Sequence, residues 1–110
     1  MPENKYQSFA HVNTEQMQNL FHCMAICKSC VAYCVQEGCK KTAVLCNECA
    51  EACHLAIKFK CCDSEFCNQA LKLCSDVCKK CAEACKKLEI PHCKECADMC
   101  NRCSVTCCVC

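Results

Sequence analysis

Cysteine accounts for 22 of the 110 residues, and most of these thiols recur at alternating steps of three and four residues. At about 100° per residue, that spacing places side chains on one face of an α-helix. The sequence therefore contains four helical faces, each carrying one row of thiols. These thiol rows are Cys23, Cys27, Cys30 and Cys34; Cys39, Cys46, Cys49 and Cys53; Cys67, Cys74, Cys78, Cys81 and Cys85; and Cys93, Cys96, Cys100, Cys103 and Cys107.

A cysteine in such a row can act as a small core residue, as half of a disulfide or as a metal ligand. As core residues, about eighteen cysteines leave unfilled space, at about 1 kcal/mol for each methyl-sized void. Residues three or four apart in a helix have Cβ atoms about 5 to 6 Å apart, whereas a disulfide needs about 3.5 to 4.5 Å. Disulfides between helices stay open as an alternative, although many would have to survive in a reducing compartment.

The spacing of the thiols suits metal coordination. Two sulfurs that each lie about 2.3 Å from one ion stand up to about 4.6 Å apart, and thiolates select Cu(I), Zn(II) and iron–sulfur clusters. One Cu(I) per thiolate leaves a buried site nearly neutral, whereas zinc with four thiolates carries a net charge of about −2. Zinc also requires tetrahedral ligand sets, whereas continuous rows of sulfurs suit low-coordinate ions that bridge pairs. Iron–sulfur clusters usually take their cysteine ligands from loops, whereas these cysteines follow the spacing of helices. The pattern favours Cu(I).

Long helices are needed to carry these rows. The chain has one glycine, two prolines and no tryptophan, a composition with few turns. We expect the first helix to begin after an N-cap at Asn13 or Thr14 and to end near Glu37. Gly38 is expected to stop it in the left-handed conformation.

Three further helices follow from similar signals. The second is expected at about 39–59, and Asp63 or Ser64 is the predicted N-cap of the third, which continues to about Lys87. Pro91 is expected in the first turn of the fourth helix, which reaches nearly to the C-terminus. Because the connections are short, consecutive helices should be antiparallel. The predicted fold is all-α, an antiparallel up-down four-helix bundle with a cysteine-lined core.

The thiol pattern also repeats within the chain. The first row recurs in phase in the third helix, and part of the second row recurs in the fourth. The segment Cys-Ala-Glu-Ala-Cys occurs at 49–53 and again at 81–85. The sequence therefore predicts two similar helical hairpins, with residues 1–13 as a polar leader and residues 14–110 as the bundle.

Charge and hydropathy limit the partners and the compartment. A net charge of +1 gives no indication of nucleic acid or an anionic membrane as partner. The first twelve residues contain no apolar run typical of a signal peptide, and no later stretch is apolar enough to span a bilayer. We therefore expect a cytoplasmic protein, unlike a secreted disulfide scaffold. No nucleophile, general base and orienting group form a recognisable set, so an enzyme is not predicted.

The chain resembles the four-helix-bundle copper storage proteins, specifically their cytosolic branch. The resemblance rests on the Cys-x2-Cys-x3-Cys segments at 27–34, 46–53, 78–85 and 93–100, and it covers roughly residues 14–107. It implies a bundle filled by many Cu(I) ions that cysteine thiolates bridge, often through Cys-x3-Cys pairs, and a homotetramer. His92 resembles the histidine that family members place at the open end of the bundle. It is therefore an expected ligand beside the eighteen cysteines of the thiol rows.

Other cysteines, histidines and methionines lie outside the predicted ligand set. His11, His22 and His54 are expected at the surface, and Met24 and Met99 are expected to pack beside the rows. Cysteines at helix boundaries or out of phase have no predicted ligand role. These are Cys61, Cys62, Cys108 and Cys110.

The sequence thus predicts sequestration of many Cu(I) ions by thiolates. Two alternatives stay open. One is a metallothionein-like buffer of zinc or cadmium, although such chains generally lack a regular helical phase. The other is a redox protein that reversibly forms disulfides between its helices.

Overall fold

The protein was analysed as a computed structural model that describes residues 14–107, and this part of the chain forms four α-helices. The predicted leader, with Asn13 and His11, lies outside the described residues, as do Cys108 and Cys110. Each helix packs mainly against two others, so that α1 contacts α2 and α4 while α3 contacts the same two. The predicted up-down four-helix bundle is confirmed. The helices are α1 Glu15–Gln36, α2 Lys40–Cys61, α3 Cys67–Lys86 and α4 Pro91–Thr106.

Gly38 ends α1 as the sequence predicts. Its φ is 78°, a left-handed conformation that glycine adopts without the steric cost of a side chain. The Gly38 N–H donates to the Val35 carbonyl at 3.1 Å, and the Cys39 N–H donates to the Cys34 carbonyl at 2.7 Å. These two bonds form a Schellman motif. They satisfy carbonyls at the end of α1 and allow the chain to reverse into α2.

The predicted N-cap of the third helix is only partly correct: Ser64 Oγ accepts a hydrogen bond from the Phe66 N–H at 3.0 Å in the turn before α3, but the N-cap itself is Phe66, and Asp63 belongs to the end of α2. Asp63 has a φ of 54°. Its N–H donates to the Lys60 carbonyl at 3.2 Å, and the Ser64 N–H donates to the Phe59 carbonyl at 2.9 Å. The two residues therefore end α2 in a second Schellman motif, and α3 begins only at Cys67. Aspartate favours both N-caps and left-handed turns, so its presence alone does not distinguish them.

The remaining helix boundaries agree with the sequence. Thr14 is the N-cap of α1, and its Oγ1 accepts a hydrogen bond from the Met17 N–H at 3.2 Å. Pro91 lies in the first turn of α4, directly after Ile90. The connections 37–39 and 87–90 consequently meet at one end of the bundle, which we call the His92 end.

The interior of the bundle has two zones. At the end opposite His92, the core consists of large apolar side chains, and we call this the apolar end. Along the rest of the bundle the core consists chiefly of cysteine and alanine, together with Met99. Met24 packs against this core while partly buried. The side chains that close the apolar end are Met17, Leu20, Ile57 and Leu71.

The left-handed Asp63 gives a prediction about stability. Asp63→Gly should raise the free energy of unfolding of the reduced, metal-free protein by about 1 kcal/mol. A non-glycine residue in the left-handed conformation costs roughly 1–2 kcal/mol, and the substitution removes this cost. The greater freedom of glycine in the unfolded chain offsets part of the gain. Gly38→Asp is the matched control and should lower stability. Urea denaturation measures both, and an Asp63→Gly protein no more stable than the parent would contradict the assignment.

Candidate metal centre

Seventeen of the eighteen predicted cysteine ligands are buried in the core. Sixteen have an exposed fraction of 0%, and Cys67 has one of 5%. None of the sixteen forms a disulfide. They face the interior because steps of three and four residues keep each thiol row on the inner side of its helix. The core is therefore a continuous collection of thiols that four helices supply.

Within single helices, Cys-x3-Cys pairs bring two sulfurs together across one turn. Six such pairs have Sγ–Sγ distances from 3.7 to 4.0 Å, nearly twice the length of a disulfide bond of about 2.05 Å. Each pair can bridge one metal ion. The pairs are Cys23 with Cys27, Cys30 with Cys34, Cys74 with Cys78, Cys81 with Cys85, Cys96 with Cys100, and Cys103 with Cys107.

Sulfurs from different helices lie even closer together. Cys30 Sγ is 3.3 Å from Cys93 Sγ, which joins α1 to α4. Cys49 Sγ is 3.4 Å from Cys78 Sγ, which joins α2 to α3. The contacts extend along the bundle, so a metal ion bound at one pair always has further sulfurs nearby.

The sulfurs also gather into groups of four whose ligand atoms all lie within 4.8 Å of one another. In the group of Cys23, Cys27, Cys49 and Cys100, the Sγ–Sγ distances include 3.6 Å between Cys27 and Cys100 and 4.0 Å between Cys23 and Cys49. Bonds of 2.3 Å require sulfur separations of about 3.8 Å around a tetrahedral ion and about 4.0 Å around a trigonal ion. Rows from different helices meet, so groups of four sulfurs come close enough to surround one ion, which the spacing within single rows does not predict.

Because the groups overlap, they can hold few tetrahedral ions at once. Cys23 belongs to two of them, and so does Cys100. Three groups have no cysteine in common, which would give three zinc ions with twelve thiolates and a buried charge of about −6. The same sulfurs with one Cu(I) each would be neutral. The three are Cys23, Cys27, Cys49 and Cys100; Cys30, Cys46, Cys85 and Cys96; and Cys53, Cys74, Cys78 and Cys103.

Two predicted ligands occupy other positions. Cys39 is half-buried at the N-cap of α2, and its Sγ donates to the Glu37 carbonyl at 3.8 Å. None of the thiol–thiol hydrogen bonds within residues 14–107 involves Cys39. Cys67 is buried at the start of α3, near the apolar end. The structure therefore brings sixteen of the eighteen row cysteines into one network and leaves Cys39 beside it.

His92 lies in the first turn of α4 and is half-buried. Its Nε2 is buried and has no hydrogen-bond partner among residues 14–107. Its ring stacks on that of Tyr33, with 4.5 Å between ring centroids and 19° between ring planes. His22 and His54 are exposed, as the sequence predicts. Of the three histidines that the structure describes, His92 is the one that is half-buried and has a buried nitrogen without a hydrogen-bond partner.

Sequence reasoning missed the residues that close the apolar end. Met17 and Leu20 continue the helical phase of the first thiol row one turn earlier, and Ile57 continues that of the second. Leu71 lies in phase between Cys67 and Cys74. The periodicity of all apolar residues along each helical face predicts these core positions. The periodicity of the cysteines alone does not.

Burial changes the acidity of thiols near the His92 end. Loss of solvation for the thiolate raises the pKa of Cys93 to about 12, although a hydrogen bond with Cys30 partly opposes this. Burial also raises the pKa of Cys34, whose Sγ is 3.7 Å from that of Cys93. Both groups are neutral thiols at pH 7, so a bound metal ion must displace their protons.

The raised pKa values predict how the stability of the metal-free protein depends on pH. An unfolded thiol ionises near pH 8.5 to 9, whereas folded Cys93 keeps its proton up to about pH 12. Stability should therefore be constant from pH 6 to 8 and fall between pH 9 and 12, because ionisation favours the unfolded chain there.

Thermal denaturation of the reduced protein measures this effect. Cys93→Ser, which removes the ionising group, should weaken the dependence. A melting temperature that rises between pH 9 and 11 would contradict the prediction.

A model of the copper storage protein family matches residues 10–110. The chain is similar in structure to the Cu(I)-bound copper storage protein BsCsp3, with a TM-score of 0.80 and 32% sequence identity. That similarity covers 84% of this chain and 91% of the solved one. No curated protein matches the sequence. None of the helices within residues 14–107 is both long and apolar enough to cross a bilayer.

Proposed function

The chain belongs to the copper storage protein family, and we propose that it sequesters many Cu(I) ions in the interior of its four-helix bundle. One observation carries the proposal. Sixteen fully buried cysteines, none in a disulfide, form clusters with Sγ–Sγ distances of 3.3 to 4.0 Å, and groups of four sulfurs within 4.8 Å of one another join these clusters into one network. A soft monovalent ion suits such a network, because it neutralises each thiolate and accepts two or three sulfur ligands. No catalytic turnover is proposed.

The proposed ligands are the eighteen cysteines of the thiol rows, together with His92. The geometry supports a division among them. The seventeen buried row cysteines would hold stored ions in the core, while Cys39 and His92, at the His92 end, would bind copper where it passes between solvent and core. Residues 14–110 would form the copper-binding domain, and residues 1–13 its leader.

The two ends of the bundle favour one direction of loading. At the apolar end, the side chains of Leu20, Ile57 and Leu71 fill much of the core, although Cys67 and Cys107 also lie there. At the other end, Cys34 lies in the last turn of α1 and Cys93 in the first turn of α4. Copper would therefore bind first at the His92 end and move inward by exchange between neighbouring thiolates.

Loading by Cu(I) is the central prediction. The fully reduced protein, titrated anaerobically with Cu(I) against a chromophoric chelator, should take up about eighteen ions, one per thiolate of the rows. It should release close to one proton per ion, because thiols are mostly protonated at pH 7. The loaded protein should also melt at a higher temperature than the metal-free one.

A zinc titration under the same conditions is the control. It should saturate at about three ions, the number of tetrahedral sets without a common cysteine. Saturation with only a few Cu(I) ions, or their complete loss to the chelator, would contradict copper storage. If zinc then bound more tightly, the four-sulfur groups would support the alternative of a zinc or cadmium buffer. Loss of thiols on mild oxidation, without metal uptake, would support the disulfide alternative.

We further propose a homotetramer, as the family resemblance implies. Apolar side chains that lie outside the core support an association surface. Phe66 and Leu73 are 52% and 49% exposed, and with Leu55 and Phe59 they line a groove between α2 and α3. Leu73→Glu should convert the assembly into smaller species in light scattering, whereas Val105→Glu, on another exposed face, should not. A parent protein that is monomeric at all concentrations would overturn the proposal.

A cytoplasmic location is proposed as well. Buried thiols without disulfides need a reducing compartment to stay available for metal. Cell fractionation tests this location, and recovery outside the cytoplasm would contradict it.

A further inference from the structure

Tyr33 and His92 form an aromatic pair beside the outermost sulfurs of the network. Tyr33 directly precedes Cys34 in α1, and His92 directly precedes Cys93 in α4. The sulfurs of these two cysteines are 3.7 Å apart, and the two rings stack with 4.5 Å between centroids. The same two helices thus bring together a sulfur pair and, next to it, a ring pair.

The orientation of His92 requires an explanation. Its Nε2 is buried without a hydrogen-bond partner among the described residues, and an imidazole nitrogen in that state is unfavourable compared with one that contacts water. The residue lies in the first turn of its helix, where rotation about χ1 could carry the ring into solvent. The contact with Tyr33, which is itself 44% exposed, opposes that rotation. The Tyr33 ring therefore holds the His92 ring in place, although no hydrogen bond to Nε2 does so.

An inward, unpartnered nitrogen is useful to a copper store. Because it bonds to no other group, it can accept a soft ion without first breaking a hydrogen bond. The stack joins the two residues that directly precede Cys34 and Cys93, whose sulfurs are 3.7 Å apart, so an ion bound at His92 would have this sulfur pair as its next ligands. Fixing the ring in advance avoids the cost of ordering it whenever an ion arrives.

We propose that Tyr33 is a positioning residue for copper transfer. Its ring holds His92 with Nε2 turned inward, and it thereby sets the rate at which Cu(I) passes the His92 end without changing the number of stored ions. This inference rests on the proposed storage function.

The test is a comparison of transfer rates. Stopped-flow absorbance follows the movement of Cu(I) from a bicinchoninate complex to reduced protein at less than one ion per chain. Tyr33→Ala should slow transfer about 2- to 10-fold, the range expected for loss of one aromatic stack. Tyr33→Phe keeps the stack and should behave as the parent. Val35→Ala, an exposed apolar change in the same helical turn, is the matched control and should also leave the rate unchanged.

A double-mutant cycle shows whether Tyr33 acts through His92. If it does, Tyr33→Ala should add nothing to the slower transfer of His92→Ala. The copper capacity should stay that of the parent in Tyr33→Ala, Tyr33→Phe and Val35→Ala. Equal or faster transfer in Tyr33→Ala, or a full additional effect in the double variant, would overturn the proposal.

A second measurement needs no copper. In the metal-free protein, stacking should shift the His92 ring protons upfield in the NMR spectrum, and Tyr33→Ala should abolish that shift while Tyr33→Phe retains it. An unshifted signal in the parent would overturn the inference.

If the parent binds no Cu(I), the storage function itself fails. Normal loading at a rate independent of Tyr33 refutes only the role of this residue.

Discussion

The electrical neutrality of buried sulfur is the constraint on which the rest of this structure depends. Sixteen thiols have no contact with solvent, and ionising any of them alone costs several kcal/mol in effective solvation. Two states avoid that cost, a protonated core and a core in which each thiolate binds a monovalent cation. Zinc could bind in three separate groups of four sulfurs but would leave negative charge behind. Charge, and not geometry, therefore separates Cu(I) from zinc in this core.

The metal-free bundle must also stay folded with a core of small residues. Cysteine and alanine bury little apolar surface each, so the long helices gain less from packing than leucine-rich ones would. The larger side chains are concentrated at the apolar end, together with polar contacts that join helices. Gln16 Nε2 donates to the Thr106 carbonyl at 2.7 Å, and Ser75 Oγ donates to the Ser104 carbonyl at 2.9 Å. Conventional packing thus stabilises one end of the bundle and leaves the rest available for metal.

The sequence predicts the helices well because cysteine marks the inner face so regularly. Its periodicity identified the four elements, and Gly38 and Pro91 marked two of their boundaries. Asp63 was misread because one residue type serves two opposite helix ends, and only backbone angles distinguish them. The four-sulfur groups and the stack of Tyr33 on His92 depend on how rows from different helices are aligned along the bundle. One-dimensional spacing contains no information about that alignment.

The internal repeat explains why the two ends differ. Each half of the chain is a helical hairpin, and the tips of both hairpins, 37–39 and 87–90, lie at the His92 end. The approximate symmetry axis therefore runs along the bundle, so duplication of one hairpin yields a container whose ends are already distinct. Leu20 and Leu71 occupy equivalent positions in the two repeats, and both are almost completely buried at the apolar end. The repeated position supplies two of the four side chains that close the apolar end, and Met17 and Ile57, whose counterparts in the other repeat are polar, supply the other two.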